Sequence, residues 1–170
     1  MEPMGVLRRI DELGRIVIPK GIRSRLKINE GDRVELILEN DAELLLRKYS
    51  PMHEIKDNVK NMLIALEKEL NIPVLLCNNE VFLFSSSLKY EYYIEKPISS
   101  KLFSLLNERK NVGLVNHNLS NINEPLNCMI YPLAKNSELI GGLIMIGINN
   151  VDDWQNRIML LFRNILLSNM

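Results

Sequence analysis

The first 49 residues contain only short apolar runs separated by turns, and this limits what they can fold into. Val34, Leu36 and Leu38 alternate with mostly polar residues and predict a half-buried strand. Ile22 and Leu26 predict the buried stripe of a short helix. A unit this small buries too little apolar surface to be stable alone, so we expect an obligate dimer. The pattern predicts strands at residues 5–10, 15–18, 33–39 and 43–49, and a helix from Pro19 to about Leu26.

Ser50 and Pro51 mark a boundary between two domains, at residues 1–51 and 52–170. Serine is a good N-cap and proline suits the first position of a helix, so a helix is predicted from Pro51 to about Leu70. Beyond it, residues 74–84 and 128–148 each predict a hairpin, because two apolar runs flank a polar turn. A helix at 99–109 and a strand at 113–116 complete a mixed α+β pattern.

The last predicted helix is capped by Asp152 and runs to about Leu167. It is apolar on more than one side, which is typical of a helix that is buried on more than one side. We therefore expect a helical bundle with the same helices of another chain, which would join two dimers into a tetramer. The predicted oligomerisation residues are Leu63, Leu66, Ile158, Phe162 and Ile165.

The formal net charge is zero, with 21 basic and 21 acidic residues, but the charges are segregated. Residues 1–28 carry seven basic and three acidic side chains, and residues 29–46 carry one basic and six acidic. A neutral sum of this kind does not exclude nucleic-acid binding. Taken alone, the cluster is more typical of a solvated face whose cations pair with Asp11 and Glu12.

Candidate sites for other chemistry are weak. Cys77 and Cys128 are far apart and no C-x-x-C is present, and the histidines His53 and His117 have no ligand partner at metal spacing. Asp152 with its neighbour is better explained as a helix cap than as an acid–base pair. We therefore expect no metal, no cofactor and no catalytic residue. Neither a signal peptide nor a bilayer-length apolar run is present, so a cytoplasmic protein without a membrane partner is expected.

The N-terminal residues resemble a known family. The run GVLRRIDELGRIVIPK at 5–20 is similar to the N-terminal signature of the AbrB family of bacterial DNA-binding regulators, and the similarity continues to about Pro51. The second domain, with its Ile140-Gly141-Gly142-Leu143 hairpin between flanking helices, resembles a GAF domain. Both domains in this order resemble members of the family that act late in spore development.

The resemblance implies a swapped-hairpin β-barrel dimer that binds double-stranded DNA, followed by a GAF-like α/β domain flanked by helices. The DNA-contacting positions of the family match Arg8, Arg15 and Arg23. A second basic residue directly after Arg23 is common in the family, but here Ser24 occupies that position. The further candidates for DNA contact are Arg9, Lys20 and Arg25. Arginine suits this role, because its planar donors match phosphates and guanine edges.

Several alternatives remain at this point. The expected function is sequence-specific regulation of forespore genes, as activator and repressor, in the cytoplasm at the nucleoid. One alternative is a vegetative transition-state regulator. Another is an antitoxin that binds a toxin through its C-terminal part, although the long apolar second domain disfavours that role. The GAF-like domain is also expected to enclose an apolar pocket between its hairpins and the helix that starts at Ser99, for an unidentified small-molecule effector.

Overall fold

The computed structural model describes residues 6–40, 42–49 and 56–170. The chain divides into two units, Met1–Tyr49 and Ser50–Met170. The predicted domain boundary and the predicted start of the first long helix at Pro51 lie outside the described residues.

The first unit contains one helix and one hairpin. Helix α1 spans Lys20–Arg25, and strands β1 (Val34–Glu39) and β2 (Glu43–Lys48) pair antiparallel. The predicted helix and this predicted hairpin are confirmed. In the register, Leu36 lies opposite Leu46 and Leu38 opposite Leu44, so these four leucines share one face of the hairpin.

Two predicted strands are absent from the described part of this unit. Residues 6–10 and 15–18 lie outside any strand, although the sequence predicts strands there. A strand is defined by the neighbour that pairs with its backbone, and the single chain supplies none for these segments. Their apolar side chains are correspondingly bare, with Leu7 96% and Val17 76% exposed.

The predicted burial on β1 is also wrong for a single chain. Val34, Leu36 and Leu38 are 38%, 56% and 65% exposed, and Leu26 of the helix is 37% exposed. Ile28 is the buried apolar residue in the described part of this unit. The alternation on β1 therefore marks an apolar face that one copy of the chain leaves uncovered.

The second unit is a five-stranded antiparallel sheet between two layers of helices. The strand order is β4-β3-β7-β6-β5. Both predicted hairpins are confirmed, as β3 with β4 and β6 with β7. The elements are α2 (Lys56–Leu70), β3 (Val74–Asn78), β4 (Phe82–Ser85), a 3-10 helix (Leu88–Tyr93), α3 (Ser100–Asn107), β5 (Val112–His117), β6 (Leu126–Lys135), β7 (Glu138–Ile146) and α4 (Asp153–Ser168).

Each face of the sheet has its own core. Alternate residues of β3 face opposite sides, so that Val74 and Leu76 pack with α2 and α4, and Leu75 and Cys77 pack with α3 and the 3-10 helix. Gly141 of β7 lies so close to β3 that a Cβ there would be 2.0 Å from the Cys77 carbonyl oxygen. The paired glycines therefore allow the strands and α3 to pack closely.

Three of the five residues that were predicted to mediate oligomerisation lie in the core of this unit, so the prediction is wrong for them. Leu63, Leu66 and Phe162 are buried in the core that α2 and α4 form with the sheet, with exposures of 0%, 5% and 7%. They hold this unit together and are not available to another chain. Ile158 is half-buried, and Ile165 is 38% exposed on the outer side of α4.

Apolar side chains of α3 pack against the sheet. Leu102 and Leu106 of α3 are completely buried against Ile130 and Ile144. The apolar pocket that the sequence predicts between the hairpins and this helix stays a prediction. A cleft of about 360 Å³ lies along β4, between that strand and the 3-10 helix region.

Candidate nucleic-acid interface

Six basic side chains predicted to contact DNA lie in the first unit, and all are exposed. Arg8 and Arg9 are in the segment before the first turn, and Arg15 follows that turn. Lys20 begins α1, and Arg23 and Arg25 form its last turn. The side chains therefore lie on three consecutive segments of the unit. Because all six are exposed, each is accessible to a ligand.

The turn at residues 11–14 is organised by Asp11. Its Oδ1 accepts hydrogen bonds from the backbone N–H groups of Leu13 (3.0 Å) and Arg15 (2.8 Å). The backbone carbonyl of Asp11 accepts from Gly14 N–H at 2.9 Å, and Gly14 has a φ of +74°. Aspartate and glycine suit these positions, because a short carboxylate can bond the backbone two residues on and glycine adopts positive φ without strain.

The same aspartate pairs with Arg15. The Nε of Arg15 lies 2.7 Å from Oδ2 of Asp11, and the two side chains are 72% and 41% exposed. Hydrogen bonds from the Arg15 backbone, and next from its side chain, lower the pKa of the Asp11 carboxyl. The sequence offered Asp11 only as a neutralising neighbour of the basic cluster, and its contact with both the turn and Arg15 was not predicted.

Helix α1 places its cations by a proline start and a left-handed end. Pro19 is the N-cap, and its carbonyl accepts from Ile22 and Arg23 N–H, both at 3.0 Å. Lys27 has a φ of +52°, and Ile28 N–H donates to the Arg23 carbonyl at 2.8 Å, which turns the chain inward. The buried Ile28 thereby anchors the end of the helix that carries Arg23.

The side chain of Arg25 projects from a different side of this helix than that of Arg23. Two residues along an α-helix rotate a side chain by about 200°, so Arg23 and Arg25 project to different sides. Lys20 and Arg23 are three residues apart and share a side. The arrangement groups Lys20 with Arg23 and leaves Arg25 apart from them.

Two of the acidic residues that follow α1 pair with cations of β2. Glu35 pairs with Arg47 across the hairpin at 2.7 Å, and Asp32 pairs with Lys48 at 3.0 Å. The pKa of Asp32 is lowered, first by the backbone hydrogen bond from Asn29 and then by Lys48. These pairs engage carboxylates within the acidic stretch and do not involve the arginines at 8, 15 and 23.

Other kinds of site find little support within the described ranges. No group of three or more histidine, cysteine, aspartate or glutamate side chains there could hold a metal ion. Cys77 and Cys128 are buried, and burial raises the pKa of both thiols to about 12. None of the helices described in 6–40, 42–49 and 56–170 has the length and apolarity that a bilayer crossing requires.

Comparison with known proteins covers both units. Residues 7–52 match the family model described as "Antidote-toxin recognition MazE, bacterial antitoxin". The chain is 37% identical over 154 residues to stage V sporulation protein T of Bacillus subtilis strain 168, a match that covers 85% of this chain and 84% of that protein.

Two further similarities concern one unit each. The transition state regulatory protein AbrB of Bacillus subtilis strain 168 is 43% identical over 51 residues, which is 30% of this chain and 52% of that protein. A GAF domain/HD domain protein from Geobacter sulfurreducens has a similar structure, with a TM-score of 0.51 and 16% identity over 68% of this chain and 93% of that one. At this identity the last comparison shows a shared fold alone.

Proposed function

The chain belongs to the family of stage V sporulation protein T, and we propose from this premise how its two units act. It is a DNA-binding transcriptional regulator of sporulation with an AbrB-type N-terminal domain. In our proposal it acts in the cytoplasm of the forespore, at the nucleoid, as activator and repressor of late genes. It is not an enzyme in this account.

The observation that carries the DNA-binding proposal is the exposure of the three family-matched arginines, Arg8, Arg15 and Arg23, on one unit. Arginine offers donors that suit both phosphate oxygens and base edges. With one of Lys20 or Arg25 added, each chain presents four cations, and a dimer presents roughly eight. Arg9 ranks lower, since it is not among the matched positions.

The apolar face of the first unit supports a dimer. Leu36 and Leu38 on β1 and Leu44 on β2 are 56%, 65% and 61% exposed, and they lie on one face of the hairpin. Soluble proteins cover such faces. A second copy, whose segments 6–10 and 15–18 pair with those of the first, would cover the face and supply the missing strand partners.

A separate surface on α4 supports joining two dimers. Trp154, Leu161 and Ile165 are 49%, 61% and 38% exposed and fall within about 40° of one another around the helix. A groove of about 520 Å³ also lies between α2 and α4, lined in part by Val59 and Met62. We propose that the same helices of another chain bind here and form a tetramer. Two DNA-binding heads linked in this way bind paired sites with greater avidity.

Salt titration tests the DNA-binding proposal directly. A dimer that brings six to eight cations to phosphates releases that many counterions, so the logarithm of affinity falls against the logarithm of salt with a slope between about −5 and −7. Fluorescence anisotropy of the full chain on a labelled duplex measures this slope. A slope near zero would contradict the proposal that these arginines face phosphates.

We further propose that the cleft along β4 admits a small-molecule effector. Phe82, Leu83 and Ile94 provide apolar walls, and Lys60 and Glu95 provide charged groups of both signs at its lining. Its volume of about 360 Å³ lies within the size range of ligand sites, roughly 300–1,000 Å³. A thermal-shift screen with zwitterionic metabolites is expected to raise the melting temperature of the full chain, and a Lys60→Ala variant should lose that rise. No stabilising compound across a broad library would contradict the effector.

The two alternatives are less well supported. The match to an antitoxin model covers only residues 7–52, and the similarity to the transition state regulator covers only 30% of the chain. Similarity to stage V sporulation protein T extends through both units. That coverage favours the sporulation role over a vegetative regulator or an antitoxin.

A further inference from the structure

We propose that Asp11 is a positioning residue that makes Arg15 read guanine in the major groove rather than contact phosphate. This inference rests on the proposed DNA-binding function, which it deepens by assigning a base preference to one arginine. It starts from an ion pair that lies inside the predicted DNA-binding surface.

Both carboxylate oxygens of Asp11 are engaged, and they have different tasks. Oδ1 accepts two backbone hydrogen bonds, from Leu13 and Arg15, and so is fixed to the turn. Oδ2 accepts from the Nε of Arg15 at 2.7 Å. The Asp11 N–H also donates to the Arg15 carbonyl at 3.1 Å. The carboxylate is therefore part of the backbone framework, and it holds the guanidinium by one edge.

The nitrogen that Asp11 holds decides which donors remain. Because a guanidinium is planar and Asp11 contacts Nε, the two terminal nitrogens of Arg15 remain available as a forked pair. That fork matches the O6 and N7 acceptors of guanine, which is the commonest specific arginine contact with DNA. Arg8 differs, since one of its terminal nitrogens donates to the Leu7 carbonyl at 2.9 Å.

The charge of Asp11 favours the same outcome. A carboxylate beside Arg15 repels a phosphate that approaches the arginine, whereas a neutral base edge meets no such repulsion. An aspartate is ionised at neutral pH, and the hydrogen bonds from the Arg15 backbone and side chain lower the pKa of Asp11 further. Arg15 is thus poorly suited to a phosphate and well suited to a base edge.

Selection from a random duplex library tests the inference. The full chain is expected to enrich a motif with a fixed guanine in each half-site. Asp11→Asn keeps the Oδ1 acceptor for the turn but removes the charge, and it should reduce the preference for that guanine by about tenfold. Glu12→Gln is the matched control, because it removes the same charge from the same turn and should leave the preference unchanged.

A second measurement separates positioning from simple loss of the turn. The Asp11→Asn change would release Arg15 toward phosphate, so the salt slope of binding should steepen by about two, from about −5 toward about −7 for a dimer. A misfolded turn would instead weaken binding and flatten the slope. Replacing the selected guanine by 7-deazaguanine, which lacks N7, should weaken the wild-type chain and leave Asp11→Asn nearly unaffected.

The outcomes distinguish the inference from the function on which it rests. A wild-type chain that enriches no sequence and binds no duplex would overturn the DNA-binding proposal itself. An Asp11→Asn variant that enriches the wild-type motif with equal stringency, or an unchanged salt slope, would overturn the role of Asp11 and leave the function standing.

Discussion

Arg15→Ala is expected to remove specific DNA binding while the fold is retained. The side chain is 72% exposed and contacts Asp11, so its loss opens no cavity. A dimer loses two arginine contacts with this change. At about 1–3 kcal/mol for each good bidentate contact, the affinity should fall by roughly thirtyfold or more. A mobility-shift titration measures the loss, and circular dichroism checks the fold.

Arg157→Ala is the control for this variant. Arg157 also pairs with an aspartate four residues earlier, at 2.9 Å from Asp153, and is 78% exposed in the second unit. The Arg157→Ala substitution removes an equal charge at a position far along the sequence from the predicted DNA surface, so DNA binding should be unchanged. Equal affinity of the Arg15 variant and the Arg157 variant would remove Arg15 from the interface.

Replacing Leu161 and Ile165 by Glu should convert a tetramer into dimers. Both side chains are exposed on the outer stripe of α4, so the two carboxylates would lie at the centre of the proposed helical bundle without entering the core of the unit. Burial of unpaired charges there is prohibitive. Light scattering should therefore report the mass of two chains in the variant and four in the wild type.

The functional consequence should be a loss of cooperativity. Binding to paired sites should weaken by roughly a hundredfold, since linkage through the bundle supplies the effective concentration of the second head. Binding to one site should stay as it was. Phe103→Glu is the matched control, because Phe103 is 40% exposed on α3, which packs on the opposite face of the sheet. A wild-type mass of two chains, or an unchanged tetramer in the double variant, would contradict this assembly.

Local patterns in the sequence predicted the hairpins of the second unit well. The apolar run of β3 and the polar turn at Asn136 are signals that neighbouring residues determine, and the structure pairs these strands as expected. Asp152 precedes α4 as predicted, and its N–H donates to Gln155 Oε1 at 3.0 Å. Such features require no knowledge of distant contacts.

The failures concern information that a short window does not contain. Leu63 and Phe162 are apolar in sequence whether they face the sheet or another chain, and only the three-dimensional packing shows that they belong to the core. The 3-10 helix Leu88–Tyr93 was missed, because six residues of polar and aromatic character carry no helical period. It is held by tertiary packing, with Tyr93 stacked edge-on against Phe82 at 5.2 Å.

For the predicted DNA-binding surface, the sequence identified the residues but not the contacts that hold them. A family signature identified Arg8, Arg15 and Arg23, and the structure shows all three exposed. The signature says nothing of how a side chain is held. The bond between Asp11 and the Nε of Arg15 depends on the geometry of the turn, where Gly14 adopts positive φ. A sequence pattern with an aspartate four residues before an arginine is too common to predict that contact.

Genome-wide DNA occupancy of the tagged full chain, compared between vegetative cells and developing spores, tests the central claim most directly. We expect discrete sites that share a motif and appear late in sporulation, and we expect the tagged Arg15→Ala variant to lose them while its protein level is unchanged. Equal occupancy by the Arg15→Ala variant, or no enrichment above an untagged strain at either stage, would contradict a sporulation regulator that binds DNA through its N-terminal arginines.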